Sequence, residues 1–228
     1  MNVAGLAQLP VRQARLFSAG ECLLGAAIVI GHNVYRIVPN EVPILVVLAI
    51  ASMRLRNGAW SGSAMGFRRP VTWKRLVVCA LAAAALRILL GTYVIDPLTS
   101  QLWAPAKAPA GAEEIKGHFA TVLMYLPIVW GFAAFGEEIS YRGYLLNKLA
   151  EAFGNTRLAD VVAVVGSGIL FGFGHFYKGP AGVTDSAIAG LILGGAYLLS
   201  GRNLWACILA HGFIDTFGLI AVYLGWDT

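Results

Sequence analysis

Charge is what this chain has least of. Only 13% of its 228 residues are Asp, Glu, Lys or Arg, where a soluble domain carries about 25%. Set against 58% hydrophobic residues and a mean hydropathy of +0.70, the deficit excludes an ordinary soluble domain and points to a polytopic membrane protein. No polar stretch is long enough to fold separately, so one integral membrane domain is expected. Cysteine is also scarce. Cys22, Cys79 and Cys207 lie far apart in apolar stretches with no Cys-x-x-Cys pair. That excludes a disulfide framework or a thiolate metal site and leaves buried thiols acting as small hydrophobes. There is no His-Glu-x-x-His word and no internal repeat. The first apolar run lacks a small-residue cleavage site and reads as a retained anchor. The net charge of +5 forms no long basic stripe, because the basic residues flank apolar runs. Nucleic acid is therefore not an expected partner.

What is present is a series of apolar runs. A spanning helix needs about 20 mostly apolar residues. The runs predict an all-α, polytopic helical protein of about seven transmembrane helices, at residues 16–37, 40–53, 76–95, 119–138, 158–176, 183–200 and 204–224. The fourth is expected to continue as a helix to 152, and the second is short for a span. Acid is missing altogether from 54–75, which holds Arg54, Arg56, Arg68, Arg69, Lys74 and Arg75. Such a segment marks the cytoplasmic side. Arg12, Arg15, Arg142, Lys148, Arg157 and Arg202 fall on the same side, and the N-terminus with them. The Pro- and Ala-rich segment 96–118 and the turn at 177–182 fall opposite. A bacterial inner (plasma) membrane suits this loop-poor design. Gly166, Gly168, Gly172 and Gly174 in the fifth run, with Gly190, Gly194 and Gly195 in the sixth, permit close helix approach.

Into these runs the sequence sets ionisable residues that are costly at bilayer depth. They form three words: Glu137-Glu138-x-x-x-Arg142, Phe171-x-x-x-His175 and His211-x-x-x-Asp215. Glu138 and Arg142 have the favourable order for a helical ion pair. That leaves Glu137 on another face without a local cation, where a carboxylate can act as a general base toward water. Phe171 and His175 share one helix face, as do His211 and Asp215. The second pair suits donors to an oxyanion, metal ligands, or a hydrogen-bonded helix contact. Each word alone also has a plain structural reading, as a membrane-edge charge cluster, an interfacial histidine or a helix-gluing pair. Glu113, Glu114 and His118 imitate an acid–His site but read as a solvated loop. His32 reads as interfacial. Arg87, inside the third run, is expected to pair with an acid such as Asp96 or to snorkel.

Taken together and in this order, the words resemble the catalytic core of the CPBP family, the CAAX proteases and bacteriocin-processing (Abi) enzymes. The resemblance covers 119–228 and includes Arg142-Gly-Tyr-Leu-Leu146 and Gly201-Arg-Asn-Leu-Trp205. The N-terminal membrane helices in 1–118 carry no such signature. The resemblance implies an intramembrane endopeptidase with its site toward the cytosolic half of the bilayer. Glu137 would activate water, His175 would position it, and His211 with Asp215 would stabilise the oxyanion. Glu138, Arg142 and Phe171 would give structural support. The implied partner is a protein or peptide substrate, prenylated or otherwise membrane-anchored.

The resemblance favours a mechanism without a cofactor. Zinc held by Glu137, His175 and His211 is the alternative. A different class of reading makes the chain a non-catalytic immunity or scaffold protein, or a small proton-coupled transporter. Two tensions come with the resemblance. Asp215 stands where the best-characterised relatives have Asn, and an ionised Asp would repel an oxyanion. His175 also lies roughly 25 Å along its helix, deeper than Glu137 and His211 are expected to be.

The expected topology is testable by labelling. A Lys74→Cys variant lacking the three native cysteines should react with an impermeant maleimide in inverted vesicles only. Reaction in sealed cells would reverse the orientation.

Overall fold

The computed structural model describes residues 10–57, 61–70, 72–107 and 111–226, so the first nine residues of the chain lie outside it. The described chain is helical, in the order α1 (Val11–Asn33), α2 (Glu41–Asn57), α3 (Trp73–Thr99), α4 (Ala112–Ile115), α5 (Phe119–Ala152), α6 (Arg157–Gly174), α7 (Gly179–Leu199) and α8 (Leu204–Tyr223). Six stretches are long and apolar enough to cross a membrane: α1, α3, α5, α6, α7 with the 3-10 turn before it, and α8. The short second run becomes the 17-residue α2, which is not among those six. Leu45, Ala49 and Met53 of α2 are nevertheless buried in the bundle.

Helices α6 and α7 form the closest pair in the bundle. Their glycines explain it. A Cβ at Gly190 would stand 2.7 Å from Gly168 Cα, and one at Gly172 would stand 2.7 Å from the Val183 carbonyl oxygen. Without side chains there, the backbones touch, and van der Waals contact replaces the hydrophobic drive that lipid removes. Gly194 packs on Val164, Gly166 on Leu149 and Gly174 on Tyr141, whereas Gly195 faces open space.

Helix α5 is the axis of the fold. Pro127 lies inside it and has no N–H to give. Just beyond, the backbone takes the wider π-helical hydrogen-bond pattern over Val129–Glu137 and again over Ile139–Leu146. Such segments are rare and recur at functional sites. Here they meet at Glu137 and Glu138.

One end of the bundle is tied by the basic residues. Arg202 pairs with Asp160 at 2.6 Å and Lys148 with Glu21 at 3.5 Å. Arg68 donates to the Gly201 carbonyl at 3.2 Å. The acid-free segment is not a free loop, because Met65 is buried and the Gly66 carbonyl accepts from Leu204 N at 2.8 Å. Arg142 departs from its expected place on this basic flank and is fully buried in the core.

Arg87 pairs with an acid, as expected, but not with the one nearest in sequence. Its partner is Asp185 on α7, not Asp96. Asp96 lies nine residues further along α3, about 13 Å on an ideal helix, and Asp185 faces Arg87 directly. The segment holding Glu113, Glu114 and His118 is exposed, and His118 donates to the Lys116 carbonyl. The three cysteines are free, with Cys22 and Cys207 buried.

Gly190→Val should overpack the α6–α7 contact, at a cost of about 1–3 kcal/mol. Thermal unfolding in detergent should show a lower midpoint, while Gly195→Ala should leave it unchanged.

Candidate active site

The three words converge. Glu138 and Arg142, one turn apart on α5, form an ion pair of 2.6 Å with almost no exposure on either side chain. The same Glu138 Oε1 accepts from His211 Nδ1 of α8 at 2.8 Å. Arg142 donates its other terminal nitrogen to the Gly190 carbonyl of α7 at 3.1 Å, and its guanidinium carbon lies 4.5 Å from the Phe171 ring centroid of α6. One buried pair therefore joins four helices. Gly212 makes the approach of α8 possible, since a Cβ there would come within 2.6 Å of the Trp130 ring.

Phe171 is the hinge between the two histidines. Its ring centroid lies 4.8 Å from that of His175 and 5.8 Å from that of His211, with Tyr141 edge-on at 5.0 Å. The depth difference expected for His175 is spanned in this way, by an aromatic ring in contact with both imidazoles.

The hydrogen bonds fix the proton positions. A carbonyl only accepts, so His175 Nδ1, 2.9 Å from the Phe171 carbonyl, carries a hydrogen. This leaves Nε2 as the acceptor in the neutral ring. His211 Nδ1 likewise donates to Glu138, and its Nε2 faces Asp215 Oδ2 at 3.4 Å. A carboxylate and an unprotonated ring nitrogen are both acceptors, so this pair needs one proton between them. Asp215 is thus paired with His211 rather than bare.

Glu137 is in a different state. It forms no ion pair among the described residues, and its Oε2 is buried without a hydrogen-bond partner. It lies within electrostatic reach of His211, Asp215, Glu138 and Glu41. The side chain of Asp215 keeps 27% of its surface exposed, and Glu137 and His175 are half-buried.

Among the described residues, no three His, Cys, Asp or Glu side chains stand where they could share a metal ion. His211 has both ring nitrogens engaged. Glu137, His175 and His211 are therefore not gathered as a three-ligand set among the described residues.

Four residues near the site are not visible as such in the sequence. Glu41 opens α2 and is buried beside the end of α6. Asn33 and His32 hold it, so His32 is an acid partner rather than a lone interfacial residue. Their signal was an acid and an amide at the edges of two apolar runs, which is common at span ends. Tyr141, inside the first word, is buried against Phe171.

The fold and site thus define a polytopic helical membrane protein that buries acid, imidazole and guanidinium groups in one cluster. Residues 119–217 match the family model described as Type II CAAX prenyl endopeptidase Rce1-like. The match bears out the CPBP resemblance carried by the three words and spans all seven of their named residues. No curated protein and no solved structure matches the chain.

Removing the buried cation should be costly. Arg142→Gln strands Glu138 and should cost about 3–5 kcal/mol, as broken buried ion pairs do. The Glu138→Gln, Arg142→Gln double variant should recover part of that loss in thermal denaturation.

Proposed function

We propose that this protein is an intramembrane endopeptidase that hydrolyses a peptide bond with a water activated by Glu137. The observation that carries the reading is the contrast between two adjacent carboxylates. Glu138 is charge-paired, its Oε1 bound by both Arg142 and His211 while its Oε2 has no hydrogen-bond partner, whereas Glu137 forms no ion pair among the described residues and its Oε2 is also without a partner. The family match supports peptide hydrolysis as the reaction.

In this mechanism Glu137 takes a proton from water as the water oxygen bonds to the scissile carbonyl carbon. His175 Nε2 accepts the second water hydrogen and aligns the nucleophile. The carbonyl oxygen becomes an oxyanion beside the proton shared by His211 Nε2 and Asp215. The carbon–nitrogen bond then breaks, and the proton on Glu137 passes to the departing amine. Asp215 serves where Asn would, because the shared proton makes the pair a donor. Glu138, Arg142 and Phe171 hold these groups in place. No step needs a metal.

The substrate class is a membrane-anchored protein or peptide, a prenylated chain being the case the family suggests. The basic end of the bundle supports a multi-pass protein whose site faces the cytosolic half of a bacterial inner membrane.

A peptide-cleavage assay on the purified protein tests this. Glu137→Gln should lower kcat by about 100- to 10,000-fold, the usual contribution of a general base. Asp215→Asn should keep activity, because an amide supplies the donor directly. Chelators should have no effect, and inhibition by phenanthroline with recovery on zinc addition would sink the metal-free mechanism.

A further inference from the structure

The α1–α2 hairpin reaches the candidate site from outside the matched region. Glu41, at the start of α2, uses both carboxylate oxygens on this hairpin. Asn33 Nδ2 donates to Oε1 at 3.0 Å, and His32 Nε2 faces Oε2 at 3.3 Å with one proton shared between them. His32 is fixed in turn by donating Nδ1–H to the Val38 carbonyl at 2.9 Å.

What this clamp holds lies across the helix interface. Val42 packs on α5 so closely that a Cβ at Gly136 would stand 3.0 Å from its Cγ1. Ser140 Oγ donates toward the Val42 carbonyl at 3.4 Å and the Gly136 carbonyl at 2.9 Å. Gly136 and Ser140 bracket Glu137 at the junction of the two π-helical segments. On its other side, Glu41 Oε1 lies 3.8 Å from the Cβ position of Gly174, and the Tyr141 hydroxyl crowds that position at 2.6 Å. Gly174 directly precedes His175, so only glycine lets α6 end against Tyr141 and Glu41.

We infer that Glu41 is a positioning residue for the reaction. Held by His32 and Asn33, it locks the start of α2 against the residues that bracket Glu137 and against the end of α6 that presents His175. This rests on the proteolytic reading above, and it gives the unmatched N-terminal half a part in the site. Such a clamp aligns base, water and imidazole without touching substrate. Its loss should therefore fall on kcat rather than KM.

The test uses the full chain in detergent with a membrane-anchored peptide. Glu41→Ala, Glu41→Gln and Asn33→Ala are compared for kcat and KM. A second readout is the rate at which a hydrophobic carbodiimide labels Glu137, located by mass spectrometry. Glu41→Ala should lower kcat about 10- to 100-fold, the scale of an ångström-sized misplacement, with KM little changed and Glu137 labelling altered. Glu41→Gln still accepts from Asn33 and should recover part of kcat. If Glu41→Ala fails to fold, Asn33→Ala should show a smaller loss of the same kind.

Wild-type kcat and labelling in the clamp variants, or a loss confined to KM, would overturn the inference. If Glu137→Gln cleaves like the wild type, or the wild type cleaves nothing, the proteolytic reading falls instead. Labelling of Glu137 then decides the role of Glu41 alone: altered rates support the clamp, and unaltered rates refute it.

Discussion

The buried ion pair between Glu138 and Arg142 is the interaction on which the rest depends. Two charges out of water lose several kcal/mol each in hydration, and only good geometry with further hydrogen bonds repays it. Here the repayment comes from three other helices. His211 supplies a second donor to Glu138, Gly190 a carbonyl to Arg142, and Phe171 a ring face beneath the guanidinium. The pair therefore cannot form unless α5, α6, α7 and α8 are all in place. In a lipid-embedded bundle, where apolar contacts discriminate weakly between helix arrangements, such a polar centre fixes which helices meet and at what depth.

The same pair divides the two acids. A backbone that places both Glu137 and Glu138 within one bundle must neutralise at least one. Glu138 takes both available cationic or donor partners, and Glu137 is left with neighbours that are carboxylates or an imidazole already committed elsewhere. The π-helical geometry of α5 sets this division, since the two acids sit where one π segment gives way to the next. Glycines carry out the positioning. Gly212 admits α8 to Trp130, Gly190 and Gly168 bring α6 and α7 together, and Gly174 ends α6 against Tyr141. At each of them an added methyl group would meet a neighbouring helix at less than ordinary contact distance.

Much of this was legible in the residues. The apolar runs gave the helices to within a few positions, and α5 extends to Ala152 as its pattern predicts. The three words named the residues that meet around Phe171. Other features were not legible. Arg87 finds Asp185 across a helix interface, because depth and facing select the partner and sequence distance does not. Arg142 looked like a flank residue because a basic side chain near a span end usually is one. Glu41, Asn33 and His32 each had an ordinary reading at a helix end, and their joint meaning arises from α2 folding back onto α5.

Hydropathy and helix periodicity are local properties. The chain by itself therefore determined an all-helical membrane protein and which side chains were too polar to lie idle within it. Hydrogen-bond partners between helices depend on packing angle, axial offset and small-residue contacts that no local pattern encodes. The tertiary structure alone decided that His211 bonds Glu138 as well as meeting Asp215, that Glu137 Oε2 has no donor among the described residues, and that an acid from the second helix lies within electrostatic reach of Glu137.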